Sequence, residues 1–349
     1  MSFKKLAIGH LKPTFPVIQG GMGIGISLHS LAGSVASYGG IGILSGVQMG
    51  FKESDFITNT LGANLRALES EISKARKVAQ GGIIGVNLMV AMKNYAELVK
   101  KAVSCNIDLI ISGAGLPLEL PALVKGSTTQ IAPIVSSGKA ASVICRMWDK
   151  RYQYAPDCIV VEGPLAGGHL GFSVDDITKN ENVLDIVADV KKIASEYEIK
   201  YNKTIPVIAA GGIYTGKDVA YALAHGADGV QMGTRFVTTY ECDAPLSFKE
   251  AYIHSSKEEI GIIKSPVGMP GRAILNPFIT NPPGNDSCLY DCIHKCSVTD
   301  IPYCISQALI SAATGDTDNA LLFCGSNAYK ATKIEHVKDI FEEIENALS

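Results

Sequence analysis

The stretch IPVIAAGG, residues 205–212, decides how the rest of the chain is interpreted. It is a short apolar run that ends in two glycines, and the helical pattern KDVAYALAHG, residues 217–226, follows it closely. Gly226 stands where a glycine commonly ends a helix. A continuous rather than alternating apolar run is typical of a parallel strand buried on both faces. The stretch therefore predicts one strand–helix unit of an α/β fold.

Seven more apolar runs of this kind occur before and after it, most of them followed by small or polar residues. They are FPVIQG (15–20), IGILSG (41–46), IIGVNLMV (83–90), DLIISG (108–113), IAPIVSS (131–137), CIVVEG (158–163) and DGVQMGT (228–234). Amphipathic helical patterns lie between them, at 65–80, 95–103 and 183–197. Eight strands alternating with helices predict a (β/α)8 TIM barrel. A doubly wound open sheet is the alternative, but eight successive units favour closure.

The alternation stops after the eighth strand. Residues 240–300 combine a helix-like piece, PLSFKEAYIHSS, with a Pro/Gly-rich stretch that still carries many apolar residues. Two more helices are predicted near 302–315 and 332–348. We therefore predict a cofactor-binding barrel over 1–239, an inserted lid or small substrate subdomain over 240–300, and C-terminal helices over 301–349 that pack on the barrel. An exposed apolar lid is compatible with a homodimer.

Composition excludes several classes of function. The 349 residues carry a formal net charge of −3, and no run of lysines and arginines favours nucleic acid. No run approaches the length of apolar sequence that spans a membrane. The N-terminal MSFKKLAIGHLKPTF has too short and too broken an apolar stretch for a signal peptide. The nine cysteines, an odd number, indicate reduced thiols or metal ligands rather than a disulfide framework. We expect a cytoplasmic protein with a small-molecule substrate.

The ends of the seventh and eighth strands predict a phosphate site. Barrel enzymes place their active sites at the C-terminal ends of the strands, and phosphate commonly binds after these two. Gly211 and Gly212 follow the seventh strand, and Gly233 and Thr234 follow the eighth. Backbone N–H groups in such turns can cradle a phosphate dianion. Each glycine pair alone would suit any tight turn, but both at these positions predict a phosphate-bearing cofactor or substrate.

The other strand ends carry little charge, which suits a flat ring lying against the backbone. Gly21 and Met22 end the first strand in QGGMG. Asn87, at the end of the third strand, can bond ring heteroatoms such as those of an isoalloxazine. Lys139, just after the fifth strand, can reach the ring or the ribityl chain. The alternatives are that Asn87 caps a turn and that Lys139 is solvated.

The loop GPLAGGHLG, residues 163–171, follows the sixth strand and so lies at the same end of the barrel, the mouth formed by the C-terminal ends of the strands. Gly167 and Gly168 let its backbone pass close to a phosphate chain or a ring edge. His169 would then lie over the reactive face, where an imidazole can serve as general acid or base near neutral pH. The alternative is a loop histidine bonded to a nearby carbonyl.

The motifs PVIQGGMG, GVNL, EGPLAGGHLG, IPVIAAGGI and GADGVQMGTRF resemble, in order and spacing, the 2-nitropropane dioxygenase/nitronate monooxygenase family. This family includes FMN-dependent enoyl-acyl carrier protein reductases, and the resemblance spans roughly residues 10–280. It implies a barrel that binds FMN non-covalently and has His169 as its catalytic residue. It also implies that no metal is needed there, and that the cofactor-binding residues are Gly21, Met22, Asn87, Lys139, Glu162, Gly167, Gly168, Gly211, Gly212, Gly233 and Thr234.

The resemblance implies an oxidoreductase that converts alkyl nitronates and dioxygen to carbonyl compounds and nitrite. The alternative activity is an NAD(P)H-dependent reduction of enoyl thioesters in fatty acid synthesis, with NAD(P)H and acyl carrier protein as partners. Glu162-Gly163 matches the reductase pattern slightly better, and Leu165 stands where the family often has an acidic residue. Arg272, in the lid-like SPVGMPGRAILNPF, either faces the substrate or pins a loop. A third hypothesis is a phosphate-ligand binder without catalysis.

A cysteine cluster, SCLYDCIHKCSVTDIPYCI, lies in the predicted insertion. Cys288, Cys292 and Cys296 are spaced to share one helix face, and Cys304 follows eight residues later. Four thiols can bind zinc or an iron–sulfur cluster, but the spacing matches no common metal motif. Buried free cysteines on a packed helix are the alternative.

Overall fold

The computed structural model describes residues 5–179, 181–284, 290, 292–294 and 301–349. Its central feature is a closed barrel of eight parallel strands. The barrel strands are β1 (Val17–Gln19), β2 (Ile41–Ser45), β3 (Ile83–Met89), β4 (Leu109–Gly113), β5 (Gln130–Val135), β6 (Ile159–Glu162), β8 (Val207–Ala210) and β9 (Gly229–Met232). The predicted TIM barrel is confirmed, each of the eight predicted runs overlaps one barrel strand, and the open-sheet alternative is wrong.

Helices cover the outside of the barrel and continue to the C-terminus. In chain order they are α1 (His29–Ser37), α2 (Thr60–Ala79), α3 (Tyr95–Ser104), α4 (Leu120–Leu123), α5 (Gly138–Tyr152), α6 (Val174–Thr178), α7 (Val183–Tyr201), α8 (Gly216–Ala224), α9 (Thr234–Val237), α10 (Leu246–His254), α11 (Pro277–Thr280), α12 (Ile305–Thr314) and α13 (Val337–Leu348). Two short 3-10 turns lie at Met49–Lys52 and Ala328–Lys330. Gly226 has a φ of 106° just beyond α8, as its predicted place at a helix end requires.

Two apolar layers explain the β-branched runs. Side chains on one face of each strand fill the barrel interior, in a cluster that includes Ile18, Ile43, Ile111 and Val160. Side chains on the other face pack under the helices in a larger cluster. Both faces of each strand are therefore removed from water, which is why the runs are continuous.

Aspartates fasten the N-terminal end of the barrel. Asp108 and Asp228 directly precede a strand, and Asp157 lies two residues before one. Each carboxylate accepts one backbone N–H, from the first or second residue of the preceding strand. These bonds measure 2.8, 2.8 and 2.9 Å. The N-terminal face of a TIM barrel generally serves stability, so we assign these carboxylates to the fold rather than to the site.

A second, small sheet crosses the opposite end. Strand β7 (Gly168–His169) pairs antiparallel with β11 (Pro270–Ile274), which in turn pairs with β10 (Ile260–Lys264). Gly271 is the register partner of His169. Residues from the predicted insertion therefore hydrogen-bond to the histidine loop at the barrel mouth. The division into units at 239 and 300 stays a prediction.

Candidate active site

A glycine-lined cavity opens at the C-terminal ends of the strands, where the sequence predicts the cofactor. It encloses about 1040 Å³, including the part open to solvent. Its walls are the loops that follow β1, β6, β8 and β9, together with residues 321–327. Among the described residues that line it, Glu162 is the only Asp, Glu, Lys, Arg or His.

The turn after β8 exposes backbone rather than side chains to this cavity. Gly211 and Gly212 have φ values of 95° and 78°, in the left-handed region that favours glycine. A Cβ on Gly211 would lie 2.9 Å from the backbone nitrogen of Ala166, and one on Gly212 would lie 2.9 Å from Leu165 Cδ1. Side chains at these two positions would therefore collide with the histidine loop, so the turn can present only its amides.

Residues Gly325–Asn327, which we call the C-terminal strap, form a wall that the sequence analysis missed. The Gly325 N–H donates to Thr234 Oγ1 over 3.0 Å. The Ser326 N–H donates to the Leu165 carbonyl over 3.2 Å, and Asn327 Nδ2 donates to the Gly212 carbonyl over 2.7 Å. The strap thus ties together the loops that follow β6, β8 and β9.

Three polar side chains point upward from inside the barrel. Glu162 is two residues beyond inward-facing Val160, and Gln231 and Asn87 are register partners of residues of the inner cluster. Burial raises the pKa of the Glu162 carboxyl to about 8, and no described residue forms a hydrogen bond with this carboxyl. Gln231 Oε1 is also buried without a partner. A neutral acid and an unpaired amide oxygen are therefore both free to bond a ligand.

His169 lines a second cavity, which shares several residues with the first. Its Nε2 lies 2.7 Å from Ser265 Oγ, and the Phe323 ring packs edge-on at a centroid distance of 4.9 Å. Burial lowers the pKa of the imidazole to about 4. His169 is therefore neutral at pH 7, and no residue in the described part of the chain bonds its Nδ1. The expectation of a loop histidine held by a carbonyl does not apply, since the partner is a hydroxyl.

The structure brings most of the predicted site residues together. Nine line the first cavity: Gly21, Met22, Glu162, Gly167, Gly168, Gly211, Gly212, Gly233 and Thr234. Asn87 and His169 line the second, which shares Gly21, Glu162, Gly167 and Gly168 with the first. Their roles in binding and catalysis stay predictions.

Lys139 and Arg272 are placed differently. Lys139 lies in the first turn of α5, is exposed, and lines neither cavity. Arg272 is buried and donates from Nη1 to the carbonyl oxygens of Pro164 and Ala166, so it pins the histidine loop. The expectation that Arg272 faces the substrate is wrong, because both acceptors belong to the backbone of that loop.

The residues present fit a flavin mononucleotide. The cavity offers a turn of exposed amides at one end, and Glu162, Gln231 and Ser326 supply buried polar atoms that lack partners. A backbone-lined cavity suits a flat ring, and the amide-rich end suits a phosphate.

The model of the nitronate monooxygenase family matches residues 4–346. The chain belongs to this family. As a nitronate monooxygenase family member, it is an FMN-dependent oxidoreductase. Family membership agrees with the glycine-lined cavity and the neutral histidine described above.

Curated relatives of this nitronate monooxygenase family member include two kinds of protein. A probable nitronate monooxygenase of Staphylococcus aureus is 28% identical over an alignment of 311 residues, and the match covers 76% of each chain. The (3aS,4S,5R,7aS)-5-hydroxy-7a-methyl-1-oxo-octahydro-1H-indene-4-carboxyl-CoA dehydrogenase of Rhodococcus jostii is 29% identical over 266 residues. That match covers 76% of the present chain and 64% of the Rhodococcus protein.

Solved structures share the fold. FabK from Thermotoga maritima superposes with a TM-score of 0.72 at 24% identity, covering 96% of this chain and 93% of FabK. Nitroalkane oxidase from Streptomyces ansochromogenes gives 0.71 at 22% identity, covering 96% and 97%. At these identities the likeness concerns the fold alone.

The cysteine cluster lies only partly within the described residues. Cys288 and Cys296 are outside them. Cys292 Sγ lies 3.0 Å from Ser306 Oγ, and Cys304 precedes α12. No group of three or more His, Cys, Asp or Glu residues in the described part of the chain is placed to hold a metal ion. The four-thiol metal site stays a prediction.

No described helix is both long enough and apolar enough to span a bilayer.

Proposed function

We propose that the protein oxidises alkyl nitronates to carbonyl compounds and nitrite, with bound FMN and dioxygen. The observation that carries this proposal is a neutral, half-buried His169 at the mouth of a glycine-lined cavity. When bound, FMN supplies the two-electron chemistry that the amino acids cannot. The residues of the chain bind, orient and handle the proton.

The cofactor site has a phosphate end and a ring end in this proposal. The amides around Gly211, Gly212, Gly233 and Thr234 hold the phosphate. Gly21 lies beside Asn87, since a Cβ on the glycine would fall 2.5 Å from the Asn87 Cβ. This close packing explains the glycine, and in the proposal the ring lies between Met22, Asn87, Glu162 and the histidine loop. Lys139 is left out of this set because its side chain is exposed and lines neither cavity.

His169 handles the proton, and the bond to Ser265 decides how. If Nε2 carries the proton and donates to Ser265 Oγ, Nδ1 has a free lone pair and can take the α-proton of a neutral nitroalkane. If Ser265 donates to Nε2, the proton is on Nδ1, which can donate to the nitro oxygens of a nitronate. The first role needs an uncharged imidazole, and burial provides it.

The region 240–300 covers the mouth in this proposal. Its Ser265 bonds His169, and its strand β11 pairs with the histidine loop. Met269 and Ile293 add apolar surface to the second cavity. Excluding water there would protect the proton transfer and strengthen its hydrogen bonds.

The test replaces His169 with alanine and measures nitrite release from a neutral nitroalkane and from its preformed nitronate. We expect turnover of the nitroalkane to fall about 100-fold or more, since general base catalysis is typically worth that much, and turnover of the nitronate to fall less. His225→Ala, on the exposed end of α8, is the control and should leave both rates unchanged. Unchanged turnover of both substrates by His169→Ala would contradict the assigned role.

A second candidate is the reduction of enoyl thioesters by NAD(P)H. It is favoured by the second cavity, whose lining is largely apolar and includes Leu116, Ile134, Ile305 and Leu309, as an acyl chain would need. A relative named for a carboxyl-CoA substrate points the same way. Anaerobic mixing with NADH or NADPH tests it, because rapid loss of the visible flavin absorbance would favour the reductase.

A further inference from the structure

Four buried side-chain atoms in the described part of the chain have no hydrogen-bond partner: Gln48 Nε2, Gln231 Oε1, Thr238 Oγ1 and Ser326 Oγ. An unpaired buried hydroxyl costs free energy, and most such groups in folded proteins find a partner. Ser326 lines the first cavity, whereas Thr238 does not. The missing partner of Ser326 is therefore expected to be something that enters the cavity.

The strap holds Ser326 at the phosphate end. Its neighbours Gly325 and Asn327 bond Thr234 and the Gly212 carbonyl, which are in the two turns assigned to the phosphate. The Ser326 N–H is used by the Leu165 carbonyl. Only the hydroxyl of Ser326 remains to bond a ligand. The three hydrogen bonds of the strap hold this hydroxyl in place.

The Ser326 hydroxyl matters for phosphate binding because the described lining of the cavity carries no positive charge. No lysine or arginine is among the described residues that line it. A phosphate there must be held by neutral donors, namely backbone N–H groups and hydroxyls. Thr234 Oγ1 already accepts from Gly325, and its own proton is free to be donated.

We propose that the C-terminal strap closes the phosphate end of the cofactor site and that the Ser326 hydroxyl donates a hydrogen bond to the phosphate monoester of FMN. This inference rests on the proposed FMN site. It makes Ser326 a residue that favours FMN over riboflavin, which has the same ring and ribityl chain but no phosphate.

The test compares the two flavins on the full-length holoprotein after exchange into FMN or riboflavin. Flavin fluorescence on serial dilution gives both dissociation constants. Ser326→Ala should raise the FMN dissociation constant about tenfold or more, since hydrogen bonds to charged groups are the strong ones. The riboflavin constant should stay the same, and Ser326→Thr should restore much of the FMN affinity.

Thr238→Val is the matched control, because it removes another unpaired buried hydroxyl that lies outside the cavity. It should change neither constant. Equal weakening of FMN and riboflavin by Ser326→Ala would overturn the proposal, as would no change in either. A wild-type chain that binds neither flavin would instead overturn the FMN site itself, and circular dichroism separates all these results from misfolding.

Discussion

The buried carboxyl of Glu162 should make the free energy of unfolding depend on pH. Burial raises the pKa of its carboxyl from the ordinary 4.5 to about 8. Between these two pH values the folded chain keeps the proton while the unfolded chain releases it. Because the unfolded state binds fewer protons there, the free energy of unfolding falls by about 1.4 kcal/mol for each pH unit. Above pH 8 the loss is complete and stays constant.

Glu162→Gln removes this penalty while keeping the shape and a neutral polar group. We expect the variant to be more stable than the wild type by about 3 kcal/mol at pH 7, with an upper value of about 5 kcal/mol above pH 8. The difference should vanish near pH 4.5. A carboxyl that costs this much stability has a reason to be kept, and the cofactor site supplies one.

Urea unfolding of the flavin-free full-length chain at pH 5, 6.5 and 8 measures the difference. Glu345→Gln, on the exposed side of α13, is the control and should show no such pH dependence. The reasoning would be refuted if the Glu162→Gln difference were the same at pH 5 and pH 8, or if the variant were less stable at pH 8.

Three further substitutions test other parts of the structure. Asp243→Ala removes the carboxylate that accepts three N–H groups at the start of α1 and should cost about 2 kcal/mol in urea unfolding. Arg235→Met leaves its two carboxylate partners without their arginine and should lower the free energy of unfolding by about 3 kcal/mol. The same substitution at Arg151, which forms an exposed ion pair, should lower it by less than about 1 kcal/mol. Equal losses at the two positions would contradict this prediction. Gly212→Ala should weaken FMN binding about tenfold through backbone strain, whereas Gly226→Ala should lower stability only.

The barrel could be predicted from the sequence because its physical cause is local. A parallel strand buried on both faces must be apolar throughout, and the helix that follows must be amphipathic. Helix α1 shows the limit of this rule. Its N-cap residue, Leu28, makes no side-chain cap, and the capping carboxylate of Asp243 is 215 residues away. No residue near the start of this helix in the sequence predicts that Asp243 caps it.

Lys139 was placed wrongly for a reason that the sequence does contain. Ser137 accepts the Ala140 N–H with its hydroxyl, and so begins α5 immediately after β5. Lys139 thus falls in the first helical turn, on the exposed side, rather than in a loop over the site. A serine two residues before it was a helix start signal.

The C-terminal strap could not have been predicted. Its residues follow no hydrophobic period and match no motif. Gly325 and Asn327 bond partners that are 91 and 115 residues away. Only the closed barrel brings these segments together, so the phosphate end of the site was predicted from the glycines of two turns while its third wall was missed.

The most direct test of the proposed activity is anaerobic mixing of the flavin-loaded protein with propyl-2-nitronate, NADH and NADPH in separate stopped-flow experiments. We expect rapid loss of the visible flavin absorbance with the nitronate and none with either nicotinamide. Loss of that absorbance with a nicotinamide, and none with the nitronate, would contradict it and assign the site to thioester reduction.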